Sequence, residues 1–204
     1  MEWVNIIVVI ALAIVLPLAA LLRKNKANAP KSIELLEYLQ GKGIKATLVQ
    51  EDSSTDTAIR GHFTLHPSRE IIRLEKSSID SIIATSVSGQ YGSREFIECM
   101  VRNGNLAQNR KLHKTRVNVK RNHPFGGKTV TVKWVGDKTL SQSLNLDYRL
   151  EKRLLQASPD ELRAGISISA EPKKGYIKMR IAYCFPSTDM LEALNIIAKH
   201  LKSW

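Results

Sequence analysis

Cysteine is nearly absent from this sequence. Cys99 and Cys184 are the only two in 204 residues, neither belongs to a CxxC pair, and no cluster of ligand-type residues surrounds either. A disulfide-stapled scaffold is therefore excluded, buried reduced thiols are the simplest reading, and a bridge between the two would need a non-cytoplasmic domain. Aromatic residues are also few, at 6%. Phe125 and Trp134 alone flank the most basic stretch, too little stacking surface for reading single-stranded nucleic acid.

Catalytic and metal-binding signatures are missing as well. There is no G-x-S-x-G nucleophile turn. Gly126-Gly127-Lys128-Thr129 has the ending of a phosphate-binding loop, but Asn122 stands where the first glycine belongs and a strand pattern follows Thr129. No helix N-terminus would then face a phosphate. His62 and His66 share the outward face of a strand pattern, four residues apart and without a third ligand, and His113, His123 and His200 sit in separate basic surroundings. All five read as solvated side chains. The acidic pairs Asp52/Asp56 and Asp160/Glu161 fall in a turn and a helix-capping sequence, where local structure accounts for them. No catalytic, cofactor-binding or metal-ligating residue is singled out, and no cofactor is expected.

What the sequence does have is one long apolar run. From Trp3 to Leu22 only Asn5 and Pro17 are not apolar. Twenty residues at about 1.5 Å each span about 30 Å, the thickness of a bilayer core, so a single transmembrane helix is predicted at about 3–22. A cleaved signal peptide fits less well, because Glu2 offsets the amino terminus and the run exceeds the usual ~7–15 residues. Arg23, Lys24, Lys26 and Lys31 follow the run and only Glu2 precedes it. The positive-inside rule then puts the N-terminus outside and the rest of the chain in the cytoplasm.

The expected organisation is a transmembrane anchor over 1–22, a juxtamembrane linker over 23–31, and one α+β domain over 32–204 with a mostly antiparallel sheet. Ser32 would cap a first helix through Leu39, ended by Gly41 and Gly43. Alternating strands at 44–50 and 57–65 pair plausibly as a hairpin, and shorter strands follow at 70–75, 80–87 and 95–102, although 93–102 also admits a helix. Val117 and Val119, then Val130, Val132 and Trp134, mark inward faces of two strands around RNHPFGG. Helices are predicted at about 147–157 and from Ser158-Pro159-Asp160-Glu161 to Gly165. A hairpin joins 166–170 to 176–185, and a C-terminal amphipathic helix follows Ser187 with the stripe Met190, Leu194, Ile197, Leu201 and Trp204.

From about residue 125 the order FGGKTVTV, LDYRLEKRLLQASPDEL, GISISAEPKKGYIKMRIAY and a terminal amphipathic helix resembles the C-terminal part of a class of membrane-anchored α+β domains. The likeness covers roughly the last 80 residues and rests on patterning and glycines. It implies an anchored domain and carries no activity with it.

Charge is the remaining signal. Lys and Arg number 31 against 19 Asp and Glu, a formal net charge of +12. The densest run, RKLHKTRVNVKR at 110–121, holds Arg110, Lys111, Lys114, Arg116, Lys120 and Arg121 with no acid, and Lys128, Lys133 and Lys138 continue it. In a strand Lys114, Arg116, Asn118 and Lys120 would point outward while Val117 and Val119 point to the core. The six basic residues Arg110, Lys111, Lys114, Arg116, Lys120 and Arg121 are the candidate anionic-surface contacts; a solvated charged face would look the same. The sequence thus predicts a membrane-tethered, non-enzymatic binding or scaffold domain at the cytoplasmic face. Two other classes stay open: an electrostatic binder of anionic lipid headgroups or nucleic acid, and a membrane-anchored enzyme with scattered site residues. The expected partners are the bilayer through 3–22 and anionic headgroups or an acidic protein, with nucleic acid behind them.

Overall fold

The computed structural model describes residues 31–49, 70–89, 92–104, 112–123, 127–171 and 175–204. The expected span at 3–22 and the expected strand at 57–65 lie outside the described residues. Among the described residues no helix is long and apolar enough to cross a membrane.

Helix α1 (Lys31–Gly41) turns Leu35 and Leu39 inward. Ser32 lies within it rather than capping it, and its hydroxyl donates to Glu70 at 2.6 Å. Past Gly43 the chain enters β1 (Ala46–Val49), which pairs antiparallel with β2 (Ile71–Leu74). Strands β3 (Ser81–Gly89) and β4 (Gly92–Arg102) form a long hairpin in which Gly89 faces Gly92. The ambiguity over 93–102 is thereby settled as strand, because β4 is hydrogen-bonded on both edges: β8 (Tyr176–Ala182) lies on its far side. β7 (Ser167–Glu171) pairs with β8 as the expected hairpin, with Ile168 opposite Met179 and Ala170 opposite Ile177. β5 (Thr115–Arg121) joins β7 through Thr115 and Arg116 only, and β6 (Thr129–Val135) pairs along β5. The described strands make one eight-stranded antiparallel sheet in the order β1-β2-β3-β4-β8-β7-β5-β6.

Three more helices complete the layer on one side of the sheet: α2 (Lys138–Leu146), α3 (Tyr148–Gln156) and α4 (Thr188–Ser203). α4 is the predicted C-terminal amphipathic helix. Ser187 caps it by accepting from the Met190 N–H, and Met190, Leu194, Ile197 and Leu201 are buried to 1% or less. They meet Ile97, Cys99, Val101, Ile177, Met179 and Ile181 from the inner faces of β4 and β8. Each large apolar side chain removed from water there contributes about 1.5–3 kcal/mol to stability.

Three further local expectations need correction. The helix α2 was not foreseen; Asp137 starts it by accepting from the Leu140 N–H at 3.0 Å. The stretch 158–165 is a series of turns, although the capping sequence predicted a helix. Glu161 explains this. One half of the predicted box forms, with the Ser158 N–H donating to Glu161 Oε2 at 2.7 Å, but the same carboxylate also takes the N–H and hydroxyl of Ser187 at 2.5 and 3.0 Å. It is thereby held across the start of α4. Third, Val130 is exposed where an inward face was expected. A register shift at Lys120/Arg121 leaves it outside the β5 pairing, and Thr129 is buried instead.

Gly136 is required where β6 hands over to α2. Its φ is +130°, and a Cβ there would collide with the Lys114 carbonyl and Thr115 Cα.

Candidate anion-binding face of the sheet

Because all four helices cover one face, every second strand residue belongs to the other. The register places Val135, Arg116, Ser167, Arg180, Glu98, Ile83 and Ile71 in one row across that bare face. Three zones follow. Toward β2 and β3 it is apolar, with Ile71, Ile83, Met100 and Tyr176 buried together. At the centre Glu98, only 2% exposed, pairs with Arg180 and lies 3.8 Å from Lys178. Toward β5 and β6 the face is cationic.

The candidate residues fall into place as follows. Arg110 and Lys111 lie outside the described residues. Lys114, Arg116 and Lys120 are exposed, while Thr115 and Val117 are buried and Val119 packs on the core, as the alternation required. Lys133 joins the stripe from β6, directly opposite Asn118. No ion pair holds Arg116, Lys120 or Lys133 among the described residues. Arg121 departs from the row: half-buried past the register shift, it donates from Nη2 to the Pro159 carbonyl at 2.5 Å. Lys138 begins α2 and so leaves the sheet face.

Beside β5 the face deepens into a notch of about 440 Å³, lined by Arg116, Asn118, Val119, Arg121 and the turn Leu162–Gly165. Gly165 makes it possible. With φ at +67° it brings the turn against β5, where a Cβ would stand 3.3 Å from the Val117 carbonyl oxygen.

A second constellation escaped the sequence reading. Ser143 on α2 lies 2.8 Å by its Oγ from His200 Nδ1 on α4, and His200 Nε2 lies 2.9 Å from Asp147 Oδ2 at the α2–α3 junction. This is a hydroxyl–imidazole–carboxylate chain, yet each member has a structural task. Asp147 Oδ1 caps α3 by accepting from the Arg149 and Leu150 N–H groups at 3.0 and 3.1 Å. Ser143 sits mid-helix, where N–H groups are spent on i→i−4 bonds, so an oxyanion beside it would find no backbone donors. Burial of the Asp147 carboxyl opposes its ionisation. The hydrogen bond to His200, the Leu150 N–H and the neighbouring His200 and Arg149 outweigh that and hold it below its ordinary value. The chain is a brace between the end of α4 and the α2–α3 corner.

The two thiols are free, with Cys99 buried and Cys184 half-buried. Burial, aided by nearby carboxylates, pushes Cys99 up to about 12 and Cys184 to about 11. Neither is a nucleophile at neutral pH. Among the described residues no group of three His, Cys, Asp or Glu converges as a metal site. His62 and His66 lie outside them.

Comparison of the chain with protein-family models, with curated proteins and with solved structures gives no match. The functional reading therefore rests on the chain's own chemistry.

Proposed function

We propose that the chain is a membrane-tethered, non-enzymatic binding domain, anchored by the apolar run at 3–22 and held at the cytoplasmic face. The β5–β6 end of its bare sheet face would meet an anionic partner, with the inner leaflet of the same membrane first among them. The observation that carries this reading is the set Arg116, Lys120 and Lys133, exposed on the face opposite the helices and held in no ion pair among the described residues. Solvated cations on a sheet face cost nothing to fold; they also leave their charge free for a partner. A linker of about nine residues would keep the domain within reach of lipid headgroups, so proximity favours the membrane over a diffusing polyanion.

The test is salt-dependent binding. A fragment beginning at Ala29 should bind vesicles containing phosphatidylserine and not neutral vesicles. Binding should weaken as salt rises, because screening acts within about 8 Å at physiological ionic strength. Replacing Lys111, Lys114, Arg116 and Lys120 with Gln should remove roughly 4 kcal/mol at most, at about 1 kcal/mol per basic residue near the surface. The melting temperature should hardly move. Equal binding by the parent and the fourfold variant would reduce the stripe to a solvated face. Preference for an acidic protein over vesicles at equal salt would transfer the surface to that partner.

A further inference from the structure

The notch beside β5 has a chemistry that an exposed stripe lacks. Its walls come from two directions: Arg116 and Asn118 from the strand, and Arg163 from the turn that Gly165 presses against Val117. Its floor includes a strand edge. The Val117 N–H donates to the Ile166 carbonyl at 3.0 Å, and alternate N–H groups of a strand point the same way, so the Val119 N–H points to the same edge, where β7 no longer runs. Arg121 closes one end, tied to Pro159. Guanidinium forks that line one notch together with a strand-edge N–H suit a compact oxyanion that has several terminal oxygens.

The geometry points to a phosphate-monoester site in this notch, with room in its 440 Å³ or so for the polyol ring that would carry the ester. The inference deepens the functional reading above and rests on it only for the source of the ligand. A monoester offers three terminal oxygens and nearly two charges, so it can accept from Arg116, Arg163 and an edge N–H together. A phosphodiester has two free oxygens and one charge. Phosphatidylserine carries only a diester, so the notch would separate a phosphorylated polyol headgroup, or a soluble phosphorylated polyol, from ordinary anionic lipid.

The discriminating residue is Arg163. It is exposed on the turn and lies outside the 110–121 stripe, so it can be changed without touching either the core or the stripe. The full chain in non-ionic detergent micelles, at about 0.15 M ionic strength, is titrated with inositol 1,4-bisphosphate and with glycerophosphoinositol, a diester. Expected is saturable binding of the bisphosphate alone, weakened about tenfold or more by Arg163→Gln, because one charge-assisted hydrogen bond contributes about that much. Arg163→Lys keeps the net charge and should recover only part of the affinity, since the fork is lost. A parallel arm uses the full chain in nanodiscs with phosphatidylinositol 4-phosphate or phosphatidylinositol. Binding confined to the phosphorylated lipid, with the same Arg163 dependence, assigns the membrane as the source. Binding of the bisphosphate in micelles with no preference between the two lipids assigns a soluble source. Equal affinity for monoester and diester, absence of saturable binding in both arms, or full activity of Arg163→Gln overturns the site. The two proposals fail separately: phosphatidylserine binding without saturable binding of the bisphosphate keeps the stripe and sinks the notch, whereas monoester binding without phosphatidylserine binding does the reverse.

Discussion

Asp147 serves two elements with one carboxylate. Oδ1 caps α3 and Oδ2 reaches His200 on α4. Because the fold holds this group below its ordinary value, its contribution to stability is full above the unfolded value of about 3.9 and is lost as pH falls through the lower folded value. The unfolding free energy of the Ala29 fragment in urea should therefore fall as pH drops below about 4, and Asp147→Asn should flatten that fall while keeping a capping oxygen. At neutral pH Asp147→Ala should cost about 1–2 kcal/mol, the usual loss of a cap with one further hydrogen bond. Acid profiles that run parallel in the parent and Asp147→Asn would remove the brace from the account. The linkage was not legible in the sequence for a plain reason: Ser143 and His200 are 57 residues apart, and no local pattern announces a contact made by two helices meeting over a sheet. The outward set on β5 was legible, since alternation in a strand is a local property and needs no knowledge of the partner.

At the scale of elements, the sequence spoke clearly where a segment's own pattern decided its state. The β7–β8 hairpin and α4 carry strong periodicities, and both formed as read. It misled where a side chain was recruited from afar. Glu161 belongs by sequence to a capping box, but Ser187 claims its carboxylate and the predicted helix becomes turns. α2 was missed because KTLSQSLNL is short and mostly polar, with only Leu140 and Leu144 buried; packing on β6 and α3, rather than propensity, decides it. One residue shows how that packing is fixed. Asn145 on α2 accepts from the Trp134 N–H at 2.8 Å and donates to the Trp134 carbonyl at 3.0 Å, closing the outer edge of β6 as a neighbouring strand would. Asn145→Ala should lower stability by about 1 kcal/mol for the net loss of these bonds, and hydrogen exchange at the Trp134 amide should quicken more than at Val117. Equal exchange rates at the two amides would show that solvent replaces the clamp without cost.

For the whole molecule, the described core is self-contained. α1 through α4 each bury leucines or other large apolar side chains against the sheet or one another, within residues 31–204. The α+β class and the antiparallel sheet were readable from alternating strands and two strong helices. The order of strands was not, because β5 and β6 are inserted beyond β7 by contacts that no local period encodes. A domain with its own core should not need the apolar run at 3–22 to fold, and twenty nearly uninterrupted apolar residues have no polar face to offer water. The two parts should accordingly separate in experiment. The full chain is expected in the membrane pellet after high-salt and carbonate washes, whereas the fragment from Ala29 should be soluble and melt cooperatively. A cysteine placed at Asn25 should resist an impermeant thiol reagent in sealed cells if, as the positive-inside rule predicts, the basic residues that follow the run keep its C-terminal end in the cytoplasm. Release of the full chain by carbonate would remove the anchor and, with it, the proximity on which the lipid-facing role proposed for Arg116, Lys120 and Lys133 depends. Labelling at position 25 from outside would keep the anchor and turn the basic face away from the anionic leaflet, so that the lipid reading falls and a soluble polyanion becomes the partner to test.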